Sequence, residues 1–190
     1  MCDRSVDERP FDKLVFAGMA TFVGFIVLAS VVETAWVFIS LHAAPSFRWA
    51  IRIGLVLTIA GLAMGGLMVT EGLRQQELGP VPSPVVFGEA GLVVVPHLLS
   101  FHSLLILSAL AWLLSFASLS ERRRTSVILT AAAGYVALVA VSLAQALVGR
   151  APFDLTGFFA MVFWMSVAVL GVVLIATLAW LRPAARAQGA

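Results

Sequence analysis

The chain has 190 residues, of which 61% are hydrophobic and only 12% charged, with a formal charge of +2 and a mean hydropathy of +1.03. A soluble domain is about half apolar and about a quarter charged, so this composition excludes an ordinary water-soluble fold. The small net charge, with Arg122-Arg123-Arg124 as the single basic cluster, excludes a nucleic-acid surface, and the lone Cys2 excludes an internal disulfide and a multi-cysteine metal site.

The N-terminal tail, MCDRSVDERPFDK, mixes acids and bases. It lacks the positive start of a signal peptide, and the apolar run behind it is too long for one, so it reads as an anchor. That run, about 14–42, exceeds the roughly 20 residues that cross a bilayer and is expected to tilt or overshoot. Further apolar blocks cover about 53–70, 92–119, 127–148 and 158–181. Each must be helical, because a lipid core leaves backbone groups no outside partner. The fold expected is therefore all-α: a single five-helix transmembrane domain over 1–190.

Three connections are short and imply antiparallel neighbours. The fourth, 71–91, is long and carries Pro80, Pro82 and Pro84. It reads as an exposed outer loop, with a lid as the alternative. Lys13, Arg4, Arg9, Arg74 and Arg150 fall on one side of the membrane, and Arg48, Arg52, the arginine triplet, Arg182 and Arg186 on the other. The excess on the second side places the N-terminus outside and the C-terminus in the cytoplasm of a bacterial inner membrane. A sixth span, needed for an inverted repeat of three plus three, is missing. Small residues four apart, Gly61/Gly65, Ala133/Ala137 and Ala140/Ala144, read as helix-packing faces.

Ionisable groups within a span are expensive and point to function. The candidates are Glu33, His97, His102, Glu71 and the neutral Gln145. Alternation of direction sets Glu71, His97 and Gln145 in the outer half, with His102 and Glu33 nearer mid-membrane, and His42 at the opposite end. A single metal held by all three histidines is thereby disfavoured. His97 and His102 are five apart, which separates them by about 140° around a helix and about 7.5 Å along it. They are expected to face different neighbours, with His102 favoured for function. The methionine pairs Met64/Met68 and Met161/Met165 suit a soft metal but read first as packing.

Three readings follow. The first is a non-enzymatic protein that binds or passes a small ligand, ion or proton through a polar site in the outer half. The second is a haem- or metal-binding redox subunit using His102 or His97. The third is an assembly or accessory subunit of a homo-oligomer or larger membrane complex. No nucleophile with its base, phosphate loop or dinucleotide fingerprint is present, so no enzyme class is supported.

The stretch PHLLSFHSLL, Pro96 to Leu105, resembles a P-H-x4-H-x-L segment of uncharacterised multispanning bacterial membrane proteins. The helix RWAIRIGLVLTIAGLAMGGLMVTEGLRQQ and the turn LAQALVGRAP are similar to that group's Arg-x-Gly helix and Q-A-L-x-G turn. The group's Gly-Asp-Leu-Arg lead-in is replaced here by Gly91-Leu92-Val93-Val94. The resemblance implies the same multispanning fold and singles out His97 and His102; it carries no activity.

Overall fold

The structure is a computed structural model that describes residues 10–78, 86–87 and 90–188. It contains five long helices and one minimal hairpin: α1 (Pro10–Ser40), α2 (Pro45–Leu78), β1 (Val86–Phe87), β2 (Gly91–Leu92), α3 (Val94–Ser115), α4 (Glu121–Leu147) and α5 (Gly157–Gln188). All five helices are long and apolar enough to cross a membrane. The all-α membrane bundle expected from the hydropathy pattern is the fold observed.

Helices α2, α3 and α4 pack against one another, and α5 joins through α4. Helix α1 is peripheral: it leans on α2, and none of its most apolar stretch is buried. Two core clusters run through the central helices. Leu107, Leu114 and Ile128 centre one, toward the start of α4, and Leu57, Met64, Tyr135 and Val139 the other, toward its end. Large apolar side chains such as Phe25, Leu105, Trp164 and Ile175 stay exposed around the outside, as a lipid-facing surface requires.

The closest seam, between α2 and α3, is set by missing side chains. A Cβ at Gly54 would lie 2.6 Å from the Leu104 Cα, and one at Gly61 would lie 3.0 Å from the Ser100 Cβ. In lipid, helices associate through such close packing, because there is no water to expel. On α4 the tight contact falls at Gly134, where a Cβ would meet Val169 Cγ1 at 3.1 Å. Ala133 and Ala140, read as packing within the bundle or between copies, are exposed in the single chain and so do not pack within it.

The helices outrun the apolar blocks. Helix α2 starts at Pro45 and ends at Leu78, so residues 71–78, read from sequence as loop, are helical. Pro45 is at a favourable first position. The far end is held by Glu71, which accepts bonds from Arg74 and Gln75; such three- and four-residue spacings stabilise a helix. Of the rest of the long connection, the described residues Val86–Phe87 and Gly91–Leu92 pair as β1 and β2, antiparallel, with Val86 opposite Leu92. Pro80, Pro82 and Pro84, in the stretch read as an exposed loop with a lid as the alternative, lie outside the described residues.

Both ends of the bundle are tied by polar groups. At the end where α2 and α4 begin, Glu121 Oε1 accepts from the Ser46 amide at 2.7 Å, satisfying a free N–H at the start of α2. Arg124 bonds the Ala117 carbonyl at 2.8 Å. At the opposite end, where α2 and α4 finish, Gln75 Nε2 donates to Val86 O at 2.7 Å, and the Ala90 amide to Gly149 O at 3.2 Å. Gly91 packs directly on the Ala146 carbonyl, leaving no room for a Cβ. The hairpin therefore sits as a fixed cover on the C-terminal end of α4.

Candidate functional site

Within the spans, most hydroxyls are satisfied by their own helix. Thr34, Thr58, Ser142, Ser166 and Thr177 each donate to a carbonyl four residues back. The α2–α3 seam departs from this pattern, because there side chains of one helix bond the backbone of another.

His97 is half-buried in that seam, and its Nδ1 lies 2.7 Å from the Gly61 carbonyl oxygen. The approach is possible because Gly61 and Gly65 present bare backbone. A Cβ at Gly65 would come within 3.0 Å of the His97 Cε1. The ring meets Phe101 edge-on, with centroids 4.8 Å apart. Below it, the Ser103 hydroxyl lies 2.5 Å from Ser100 O and 3.1 Å from Gly54 O, and shares its single hydrogen between the two carbonyls. Ser100 Oγ bonds Pro96 O at 2.8 Å, and from α4 Tyr135 donates to Leu99 O at 2.7 Å.

The Gly61 contact decides what His97 can do. A carbonyl oxygen only accepts, so Nδ1 carries the hydrogen. In the neutral ring Nε2 is then a free lone pair. This is the arrangement in which a histidine receives a proton or ligates a metal, its other nitrogen being fixed by a backbone carbonyl.

The remaining candidates do not join it. His102 is exposed on the outer face of α3, with Nδ1 2.8 Å from Leu98 O of its own helix. Its Nε2 is also the free nitrogen, but it faces the membrane side of the bundle. The two rings thus diverge, as their five-residue spacing requires. Glu33 is exposed on α1, beside Thr34, which is buried. Glu71 is fully engaged by Arg74 and Gln75, with Oε1 2.5 Å from Arg74 Nη2. Gln145 is buried at 1% exposure under the hairpin end. Its Nε2 donates to Asp154 O at 3.2 Å, while Oε1 has no partner among the described residues. No hydrogen bond among the described residues joins any two of these five. His42, at the other end, bonds Ser40 O at 2.6 Å.

No group of three or more His, Cys, Asp or Glu side chains placed to hold a metal occurs among the described residues. Met64 is buried beside Ser100, with the sulfur 3.9 Å from its hydroxyl. Met161 and Met165 are exposed.

Sequence reasoning missed Ser100, Ser103 and Tyr135 as parts of the polar seam. Two serines three apart on an apolar helix share a face, and Tyr135 is the single tyrosine of the chain; both were usable signals. The chain matches no protein-family model, no curated protein and no solved structure.

Proposed function

We propose that this protein binds or passes a small ligand, ion or proton from the outer half of its bundle, and that His97 is the group that receives it. The observation that supports this reading is the bond from His97 Nδ1 to Gly61 O, which leaves Nε2 as the acceptor in a seam shaped by glycines. The species received is one that gives to a lone pair: a proton, a cation or a hydrogen-bond donor. Glu71 and Gln145 act at the outer end as structural partners, and Gln145 Oε1 is a further acceptor without a bond among the described residues.

Vesicles containing the purified protein and a pH dye test the passage half. After an acid step, proton entry should exceed that of empty vesicles, be lost in His97→Gln and persist in His102→Ala. Wild-type vesicles as tight as empty ones would remove passage. The binding half is read from the ¹⁵N resonance of His97 Nε2. If it stays unmoved between about pH 5 and pH 8, the window in which histidine normally titrates, binding of a proton there is removed too.

A second reading, an assembly or accessory subunit, is favoured by the outward placement of Glu33 and His102. An ionisable side chain left facing lipid is costly, and a neighbouring chain could supply its partner. Glu33→Leu and His102→Leu should then shift the protein from a larger species to the monomer on a native gel. A wild-type monomer at all concentrations sinks this reading.

A further inference from the structure

A lateral groove of about 350 Å³ lies between α4 and α5 at the end of the bundle where α4 begins. That volume lies within the roughly 300–1,000 Å³ of small-molecule sites. Arg123 and Trp180 stand at its mouth, Ser126 lies below them, and Thr130, Val172 and Ala176 line the deeper part. From Arg123 to Thr130 the helix rises about 10 Å. The groove thus begins at the level of the arginine triplet and descends into the apolar part of the bundle. Trp180 lies at the end of the fifth span, Gly157–Leu181, where indole rings mark the membrane interface.

Two observations separate this place from ordinary packing. Arg124 is engaged by Glu121, at 3.7 Å, and by Ala117 O, whereas Arg123 has neither a carboxylate nor a carbonyl partner among the described residues. The hydroxyls of Ser126 and Thr130, four apart on one face, also make no hydrogen bond among the described residues, unlike Thr58, Ser142, Ser166 and Thr177. A cation at the top, free hydroxyls beneath it and an apolar floor open to the bilayer fit one kind of occupant. We propose that this groove binds an anionic phospholipid of the adjoining leaflet. The phosphate rests on Arg123, the glycerol esters accept from Ser126, and an acyl chain lies along Val172 and Ala176. Basic pockets between membrane helices recognise anionic headgroups in this way.

The test uses the full chain in detergent micelles, read by its melting temperature. Phosphatidylglycerol should raise that temperature; phosphatidylcholine with the same chains, and inorganic phosphate alone, should not. Arg123→Gln should weaken the apparent affinity for phosphatidylglycerol about tenfold, as loss of a charge-assisted bond implies. Arg122→Gln, one position away but turned about 100° around the helix and outside the groove, should change it less than about twofold, because it removes no direct contact with the phosphate. Ala176→Trp fills the groove and should abolish the effect while Arg123 remains. An equal response to phosphatidylcholine, an equal response to inorganic phosphate, or equal losses in Arg122→Gln and Arg123→Gln would each overturn the proposal. The exposed Arg123 site keeps the test decisive if Ala176→Trp fails to fold.

Discussion

Two glycines of the same helix should respond oppositely to the same substitution. At Gly54 an added Cβ would stand 2.6 Å from the Leu104 Cα and 3.1 Å from its Cβ, whereas at Gly66 it would meet nothing within 4 Å. Carbon atoms sit comfortably at about 3.5–4.0 Å, so Gly54→Ala forces α2 and α3 apart by about 1 Å. The obstacle is backbone, which no rotamer change relieves. Overpacking of this kind costs about 1–3 kcal/mol. The Ser103 Oγ–Gly54 O bond, already at 3.1 Å, lengthens out of range, and an interhelical bond in a membrane contributes about 0.6 kcal/mol. Against this, alanine favours the helix by about 1 kcal/mol over glycine. The balance for Gly54→Ala is a loss of about 0.6–2.6 kcal/mol, a factor of about 3–80 in the folded ratio. Gly66→Ala keeps only the favourable contribution and should be neutral or stabilised by up to about 1 kcal/mol. Unfolding by sodium dodecyl sulfate in mixed micelles, followed by circular dichroism, measures both. A Gly54→Ala protein as stable as wild type, or a Gly66→Ala protein destabilised as much as Gly54→Ala, would refute the argument that backbone contact sets this seam.

Tyr135→Phe removes the donor to Leu99 O and should cost about 0.5–1.5 kcal/mol in the same assay, since the carbonyl keeps its helical partner. Gln75→Ala frees the hairpin from α2 and should speed amide exchange at β1 and β2 while leaving exchange in α3 unchanged. Single cysteines at Leu78 and Arg122, in a Cys2→Ser background, should label from opposite faces of the membrane, with Leu78 reached from outside; the reverse order inverts the topology. The purified protein is expected to lack a Soret band, and a band lost in His102→Ala would move the reading to a haem subunit.

The five helices were legible because hydropathy reports the bilayer, and the bilayer dictates helix. Their ends were not, because hydropathy measures hydrocarbon thickness rather than helix length. Arg48 and Arg52 at one end of α2, and Glu71, Arg74 and Gln75 at the other, are polar residues inside a helix; they fall outside the apolar block 53–70, and the second group also falls in the Pro- and Gly-rich stretch read as a loop. Arg52 shows why the helix runs past that block: its guanidinium reaches back to Phe38 O at 2.7 Å and lies over the Phe38 ring, so the charge leaves the apolar region without ending the helix.

The candidate site was legible only as a set of residue types at rough depths. Helical geometry correctly separated His97 from His102, but it could not say which ring faced protein. That depended on Gly61 and Gly65, which were read as packing residues with no chemistry attached. They do pack, and in doing so they leave the Gly61 carbonyl uncovered for a ring 36 residues away. Carbonyls occur at every position, so no sequence pattern marks the one that will fix a tautomer. A side chain at position 65 would push on the ring and let Nδ1 leave Gly61 O. The free lone pair of His97 is therefore a consequence of two absent side chains on the neighbouring helix.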